Sequence, residues 1–202
     1  MAINFYKGDL PSDIDLGKVV AIDSETMGLR PQRDRLCLVQ LSSGDGNAHL
    51  IQFEQEEYEA PNLVQLLGDP TVTKIFHYAR FDVAIIKKYL QAQTKSIYCT
   101  KIASKLVRTY TDRHGLKDLC RELLNIDLSK QQQSSDWGAE DLTEEQKLYA
   151  ASDVLYLHKI KAQLEKMLVR EKRMNLYNRC IDFLDTRIEL DQNGFKFDIF
   201  EH

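Results

Sequence analysis

The first half of the chain alternates short apolar runs with turn residues. Lys18–Asp23 is a β-branched run ending in a carboxylate, Arg35–Leu41 alternates in part, and Ala48–Phe53 follows the turn Ser43-Gly44-Asp45-Gly46-Asn47. Three such runs joined by short turns predict an antiparallel meander. The period then changes. Pro61–Leu67 reads as a short helix, Thr73–His77 as a strand, Ala79–Leu90 as a helix, Ser96–Cys99 as a strand and Lys101–Val107 as a helix. A meander followed by β-α-β crossovers predicts an α/β fold: a mixed sheet of five or six strands with helices on its faces.

Beyond Gly115 the pattern is helical. Gly115–Leu124 reads as one helix, followed by the polar stretch 129–135. Thr143 and Gln146 have capping-box spacing, and Glu144 and Glu145 suit a helix N-terminus, so a helix is predicted from there to about Val169. Another is predicted from about Arg170 to Gln192, closed by Asn193-Gly194, with Leu176, Cys180, Phe183, Leu184 and Ile188 on one side. The tail Phe195–Ile199 alternates apolar and charged residues in strand fashion. Residues 1–169 are expected to form one domain, and 170–202 a helix and tail attached to it that fold back on that domain or cover a neighbouring subunit.

Composition narrows the function. The 202 residues are 43% hydrophobic, enough for a core without disulfides or metal staples. Lys and Arg number 27 against 31 Asp and Glu, a net charge of −4, which argues against a coat-like binder of long nucleic acid. It leaves open an enzyme whose negative charge gathers around cations. The four cysteines form no C-x-x-C pair, no signal peptide is evident, and no apolar run reaches the ~18 residues of a membrane span, so a cytoplasmic protein with no membrane association is expected. P-loop, H-E-x-x-H and G-x-S-x-G motifs are absent.

The candidate chemistry lies in carboxylates. Asp23 and Glu25 end a strand, and residues i and i+2 project to one side, so both can converge on one cation. Taken alone, such a pair is more often simply solvated. Asp153 shifts the balance, because it falls on the apolar stripe of Tyr149, Tyr156, Leu157, Ile160, Leu164 and Leu168. A carboxylate on a buried face needs a salt bridge or a metal. Asp82 sits one turn into the helix after a buried strand, where α/β sheets keep their sites, although an acidic residue also suits a helix N-terminus in its own right. Four hard oxygen donors together suit Mg²⁺ or Mn²⁺ and not zinc. Two such ions can clamp an in-line phosphoryl displacement. Tyr149, one turn before Asp153, can orient or deprotonate a water, or can be a core tyrosine.

Asp23-x-Glu25, Asp82 and Tyr149-x-x-x-Asp153 resemble the three motifs of the DEDD exonucleases in their tyrosine-containing subgroup. Leu128-Ser129-Lys130, Ser135-Asp136-Trp137, Leu142–Gln146 and Tyr149–Val154 resemble ribonuclease D, and the resemblance spans roughly residues 18–165. It implies a ribonuclease-H-like fold and 3′→5′ hydrolysis of nucleic acid to 5′ mononucleotides. It also implies two divalent ions, with Asp23 bridging both, Glu25 and Asp153 completing one site, and Asp82 supporting the other. The sequence ends at His202, without the helical RNA-binding domains of ribonuclease D, and in this it is similar to the stand-alone nanoRNase C type. That likeness implies dinucleotides and other very short RNAs as substrates, short DNA among the possibilities, and a homo-octamer. Glu25-Thr26-Met27-Gly28-Leu29 resembles oligoribonuclease, which implies that Leu29 wedges between two bases; a plain core leucine is the other reading. Substrate contacts are expected from Thr26, Met27, Gly28, Leu29, His77, Gln133, Ser135 and Trp137, with structural roles the commoner fate for His77 and Trp137. The alternatives are a general ribonuclease D-like trimmer of RNA 3′ ends, a DNA exonuclease of the same chemistry, and a catalytically silent nucleic-acid scaffold.

Overall fold

The computed structural model describes residues 1–128, 135–195 and 197–202. Its centre is a six-stranded sheet built from β1 (Ile3–Lys7), β2 (Val19–Thr26), β3 (Leu36–Ser42), β4 (Ala48–Gln52), β5 (Thr73–Phe76) and β6 (Ile97–Cys99), in the order β1-β4-β3-β2-β5-β6. β2, β3 and β4 form the expected antiparallel meander. β5 and β6 then add in parallel beside β2 through helical crossovers.

Among the described residues, eight helices cover the sheet: α1 (Pro61–Gly68), α2 (Ala79–Tyr89), α3 (Thr100–Val107), α4 (Leu116–Leu124), α5 (Glu144–Leu155), α6 (Leu157–Arg170), α7 (Met174–Asp182) and α8 (Leu184–Gln192). The period of two along β2 divides the core. Val20 and Ile22 join Val39, Leu41 and Phe76 under α1, α2 and α8. Ala21 faces the other way with Ile75, under α3, α4 and α6. α5 covers the β3–β4 part of that second face, where Leu38, Leu50, Trp137 and Ala150 pack together. The architecture is α/β, with the mixed sheet between two helical layers.

Four elements differ from the sequence expectation. β1 was not anticipated; its residues are mostly half-buried, so it lacks a clear in–out pattern, and it gains its place by pairing in parallel with β4 at the sheet edge. The helix expected over 143–169 is two, bent at Tyr156, because α5 packs on β2, β3 and β4 while α6 packs on α3 and α4. The apolar stripe runs on through the bend, so periodicity alone does not reveal it.

The helix expected over 170–192 begins only at Met174 and breaks at Phe183. Ahead of it, Lys172 sits at φ +55°, with Arg173 N–H donating to Leu168 O (2.9 Å) and Lys172 N–H to Val169 O (3.0 Å). This is a Schellman stop made without the usual glycine, which is why the sequence does not announce it. The tail also departs from expectation: Phe195 and residues 197–202 form turns and irregular chain and are not part of a strand. The Thr143–Gln146 capping box is present in both directions.

α8 docks on the body of the fold through Leu184 and Ile188 in the core and through Asp191, which forms ion pairs with Arg80 of α2 and with Arg187. No helix among the described residues is long and apolar enough to cross a membrane.

Candidate active site

β2 runs past the end of its parallel neighbour. Its pairing with β5 stops at Ala21–Ile75, so Asp23–Thr26 extend beyond the edge where β5 turns into α2. The turn is tight: Tyr78, at φ +104°, reverses the chain so that the first turn of α2 lies over the end of β2. A register shift between Glu25 and Thr26 re-aims the strand there. The consequence is a cleft of about 620 Å³ at this edge.

Asp23 and Glu25, two apart on β2, and Asp153 on α5 each bring a carboxylate oxygen within 4.8 Å of the others. Asp82, in the first turn of α2, is buried beside them and accepts a hydrogen bond from Ser24 Oγ at 2.6 Å. The electrostatics are unfavourable throughout. Burial, then Asp82, Asp153 and Glu25, push the Asp23 carboxyl well above its usual range. Burial, then Asp153 and Asp82, do the same to Glu25. Asp153 is raised by burial and by Asp82, and Asp82 by burial against the opposing Ser24 hydrogen bond. None of these four carboxylates is in an ion pair among the described residues. The salt-bridge reading of Asp153 therefore finds no partner there. A cluster of hard oxygens that destabilise one another's charge, with no ion pair among the described residues, fits a divalent metal.

The remaining expected residues fall around this cluster. Tyr149 lines the cleft one turn before Asp153, and burial, then Asp153, Glu25 and Asp23, raise its hydroxyl, so it stays protonated in the metal-free protein. Trp137 lies 6.0 Å from its ring but is only 2% exposed and packs on Leu38, Leu50 and Ala150, so most of the indole serves the core. Leu29 is 86% exposed on the rim, which removes the core reading for it. Gly28 is needed for close approach, since a Cβ there would lie 2.3 Å from Asp34 Oδ2. Thr26, Met27 and Ser135 also line the cleft, whereas Gln133 lies outside the described residues. His77 reaches the cleft with Nδ1 2.9 Å from Thr100 Oγ1; burial, then Lys101, lower its pKa to about 3, so the ring is neutral.

Sequence reasoning missed three contributors. Ser24 was hidden inside a strand, between the two acidic residues that drew notice. Lys101 at the start of α3 and Lys117 at the start of α4 bring positive charge into the cleft, and no spacing rule connects them to the carboxylates. The loop between these helices is held by Arg108, which is fully buried, ion-paired with Glu122, and donates to Ser104 Oγ (2.9 Å) and Arg113 O (2.7 Å).

Comparison with known proteins agrees with this geometry. Residues 9–169 match the 3′-5′ exonuclease family model. Ribonuclease D of Gluconacetobacter diazotrophicus is 33% identical over 156 residues, 77% of this chain and 39% of that protein. The chain thus spans about two fifths of the length of the curated relatives it matches. Brucella melitensis NrnC is 55% identical with a TM-score of 0.95, and the match covers 100% of both chains. Its structure with bound Mg²⁺ matches at 53% identity, TM-score 0.95 and 100% of both chains. Its structure bound to pGG matches at 54% identity and TM-score 0.95, covering 100% of this chain and 99% of that one. With most of its length matched and the carboxylate cluster in place, the chain belongs to the 3′-5′ exonuclease family, of ribonuclease D type.

Proposed function

We propose that this protein is a metal-dependent 3′→5′ exoribonuclease that hydrolyses dinucleotides and other very short RNAs to 5′ mononucleotides. The observation that carries the reading is the carboxylate cluster: three oxygens within 4.8 Å, a fourth acid beside them, and no ion pair to any of the four among the described residues. Two Mg²⁺ or Mn²⁺ ions there would activate the attacking water and neutralise the leaving 3′ oxygen. Asp23 would reach both ions, Glu25 and Asp153 would complete the site of one, and Asp82, steadied by Ser24, would support the other. The Tyr149 hydroxyl orients the attacking water by hydrogen bonding, a task suited to its place one turn from Asp153.

Three observations support short substrates. The cleft is on the scale of a small ligand rather than a long track. The charge of −4 supplies no extended basic groove. Brucella NrnC, similar along its whole length, has been solved with pGG. Leu29 on the rim would wedge between two bases, while Thr26, Met27, Gly28, His77, Ser135 and the edge of Trp137 that lines the cleft form the walls around them, and Gln133 is assigned to the same wall on its sequence position near Ser135 and Trp137 alone. The exposed side chains Phe183, Phe197, Ile199 and Phe200 support a homo-oligomer, an octamer on the likeness to nanoRNase C, with 170–202 as contact region of a single domain. A cytoplasmic setting goes with RNA turnover of this kind.

The test is hydrolysis of a labelled dinucleotide and a twenty-nucleotide RNA side by side with Mn²⁺. The expected result is a higher kcat/KM on the dinucleotide. A higher value on the long RNA would favour general 3′-end trimming.

A further inference from the structure

One side chain of β3 is not explained by the core around it. Gln40 is 0% exposed, yet neither its Nε2 nor its Oε1 has a hydrogen-bond partner among the described residues. A buried amide group left this way is destabilising, and native folds seldom leave one without a reason.

Its register supplies the reason. Gln40 pairs directly with Asp23 on β2 and with Leu50 on β4, and Leu50 pairs with Phe5 on β1. Directly paired residues share a face, with Cβ atoms about 4.5–5.5 Å apart. A single row therefore runs Asp23, Gln40, Leu50, Phe5, from the carboxylate cluster into the hydrocarbon beneath α5, where Leu50 packs with Ala150 and Trp137. Gln40 is the step between charge and oil, and Asp23 is its polar neighbour in that row. Of the nearby alternatives, Ser42 is occupied, whereas Gln52 Oε1 and Trp137 Nε1 are also without partners among the described residues. Trp137 Nε1, packed beside Leu50, can only donate, so it cannot accept from the Gln40 amide nitrogen. Ser42 Oγ donates to Asn47 O (2.7 Å) and accepts from Gly44 N–H (3.2 Å). Gln52, on the diagonal, gives its Nε2 to Ala139 O (2.8 Å) and has only its Oε1 to offer.

We infer that Gln40 is a positioning residue for the metal centre, its amide nitrogen donating to the Asp23 carboxylate when the cluster holds divalent cations. The inference rests on the metal reading above. A donor at this place selects the oxygen that Asp23 presents to the cation, and partners of this kind to ligating carboxylates commonly govern metal affinity. Gln40 acts through Asp23 and touches neither substrate nor the reacting atoms.

The test is Gln40→Met, which keeps length and removes the amide. The variant should fold with Tm unchanged or higher, because an unsatisfied buried group is gone. Mn²⁺ titrated calorimetrically without substrate should bind about 10-fold more weakly. Turnover should fall more at limiting Mn²⁺ than at saturating Mn²⁺. Unchanged Mn²⁺ affinity in the folded variant would overturn the inference. Should the variant not fold, a structure of the unaltered protein with Mg²⁺ decides: Gln40 Nε2 at about 3 Å from the Asp23 carboxylate is expected, and an amide bonded only to Gln52 or to water overturns it. Failure of the unaltered protein to bind Mn²⁺ at all would be a distinct result, removing the metal reading itself.

Discussion

At the end of β2, four carboxylates crowd together, and none of them is ion-paired among the described residues. At the C-cap of α3, Arg108 is more deeply buried than the half-buried Asp23, Glu25 and Asp153, yet its guanidinium meets Glu122, Ser104 Oγ and the Arg113 carbonyl. Lys74 behaves like Arg108: it is 0% exposed, and its Nζ donates to Asp69 O (2.6 Å) and Val72 O (2.8 Å). The difference separates architecture from site. A buried charge whose complement is supplied by the chain holds the chain together. A buried cluster whose complement is missing marks where something from outside belongs.

The sharpest way to break this comparison is to remove one charge from each region. Asp153→Asn should abolish turnover while leaving the metal-free protein as stable or more stable, because repulsion among the carboxylates falls. Arg108→Ala should do the reverse on stability, costing about 2 kcal/mol or more by leaving Ser104 and the Arg113 carbonyl without their donor and Glu122 without its cation; the partial exposure of Glu122 keeps the loss below that of a sealed pair. Thermal unfolding of both variants without metal reads the signs directly. If Asp153→Asn destabilises as Arg108→Ala does, the distinction collapses. Tyr149→Phe comes next. It should slow the chemical step by about 10²-fold and leave Mn²⁺ binding intact; an unchanged single-turnover rate would return Tyr149 to the core.

Most of the cluster could be read from the sequence because each acid sits where a simple period exposes it. Asp23 and Glu25 follow from the two-residue repeat of β2, and Asp153 from its presence on an apolar stripe. Asp82 follows from its place one turn into α2. What the sequence concealed depends on contacts between distant segments. β1 has no decisive pattern of its own and exists through β4. The bends at Tyr156 and Phe183, and the stop at Lys172, use residues that carry no helix-breaking signal. Ser24 and Gln40 owe their importance to a partner across space, Asp82 for one and Asp23 for the other. The alternation of the tail predicts a strand, but alternation does not decide whether a segment joins a sheet, and Phe195 and residues 197–202 form turns and irregular chain instead.

Smaller effects sharpen the picture. Leu29→Ala should raise KM for a dinucleotide roughly 10-fold, near the low end of what a stacking contact contributes. Because Leu29 is exposed, the same change should alter stability by less than about 0.5 kcal/mol. A similar loss on a long RNA would show that Leu29 does not set substrate length. Smaller still is a pH effect at Lys74. Burial, opposed by Asp69, lowers its pKa to about 8, below the ordinary lysine value of 10.5. Between those values the unfolded chain holds the proton and the folded chain does not, so this group makes stability rise with pH across that window, and its cost is in full force below about 8. Denaturant unfolding at pH 7.5 and pH 9.5, with Lys74→Met as reference, should show the unaltered protein gaining relative to the variant; a relative loss would contradict the assignment.

The carboxylates without ion pairs are proposed here as the metal centre of a phosphodiester hydrolase. Dinucleotide hydrolysis should therefore be measured while Mn²⁺ is titrated back after exhaustive chelation, for the unaltered protein and for Asp153→Asn. No turnover without metal, saturable recovery in the unaltered protein and none in the variant is the predicted result. Turnover that survives chelation, or that Mn²⁺ restores equally in Asp153→Asn, would contradict it.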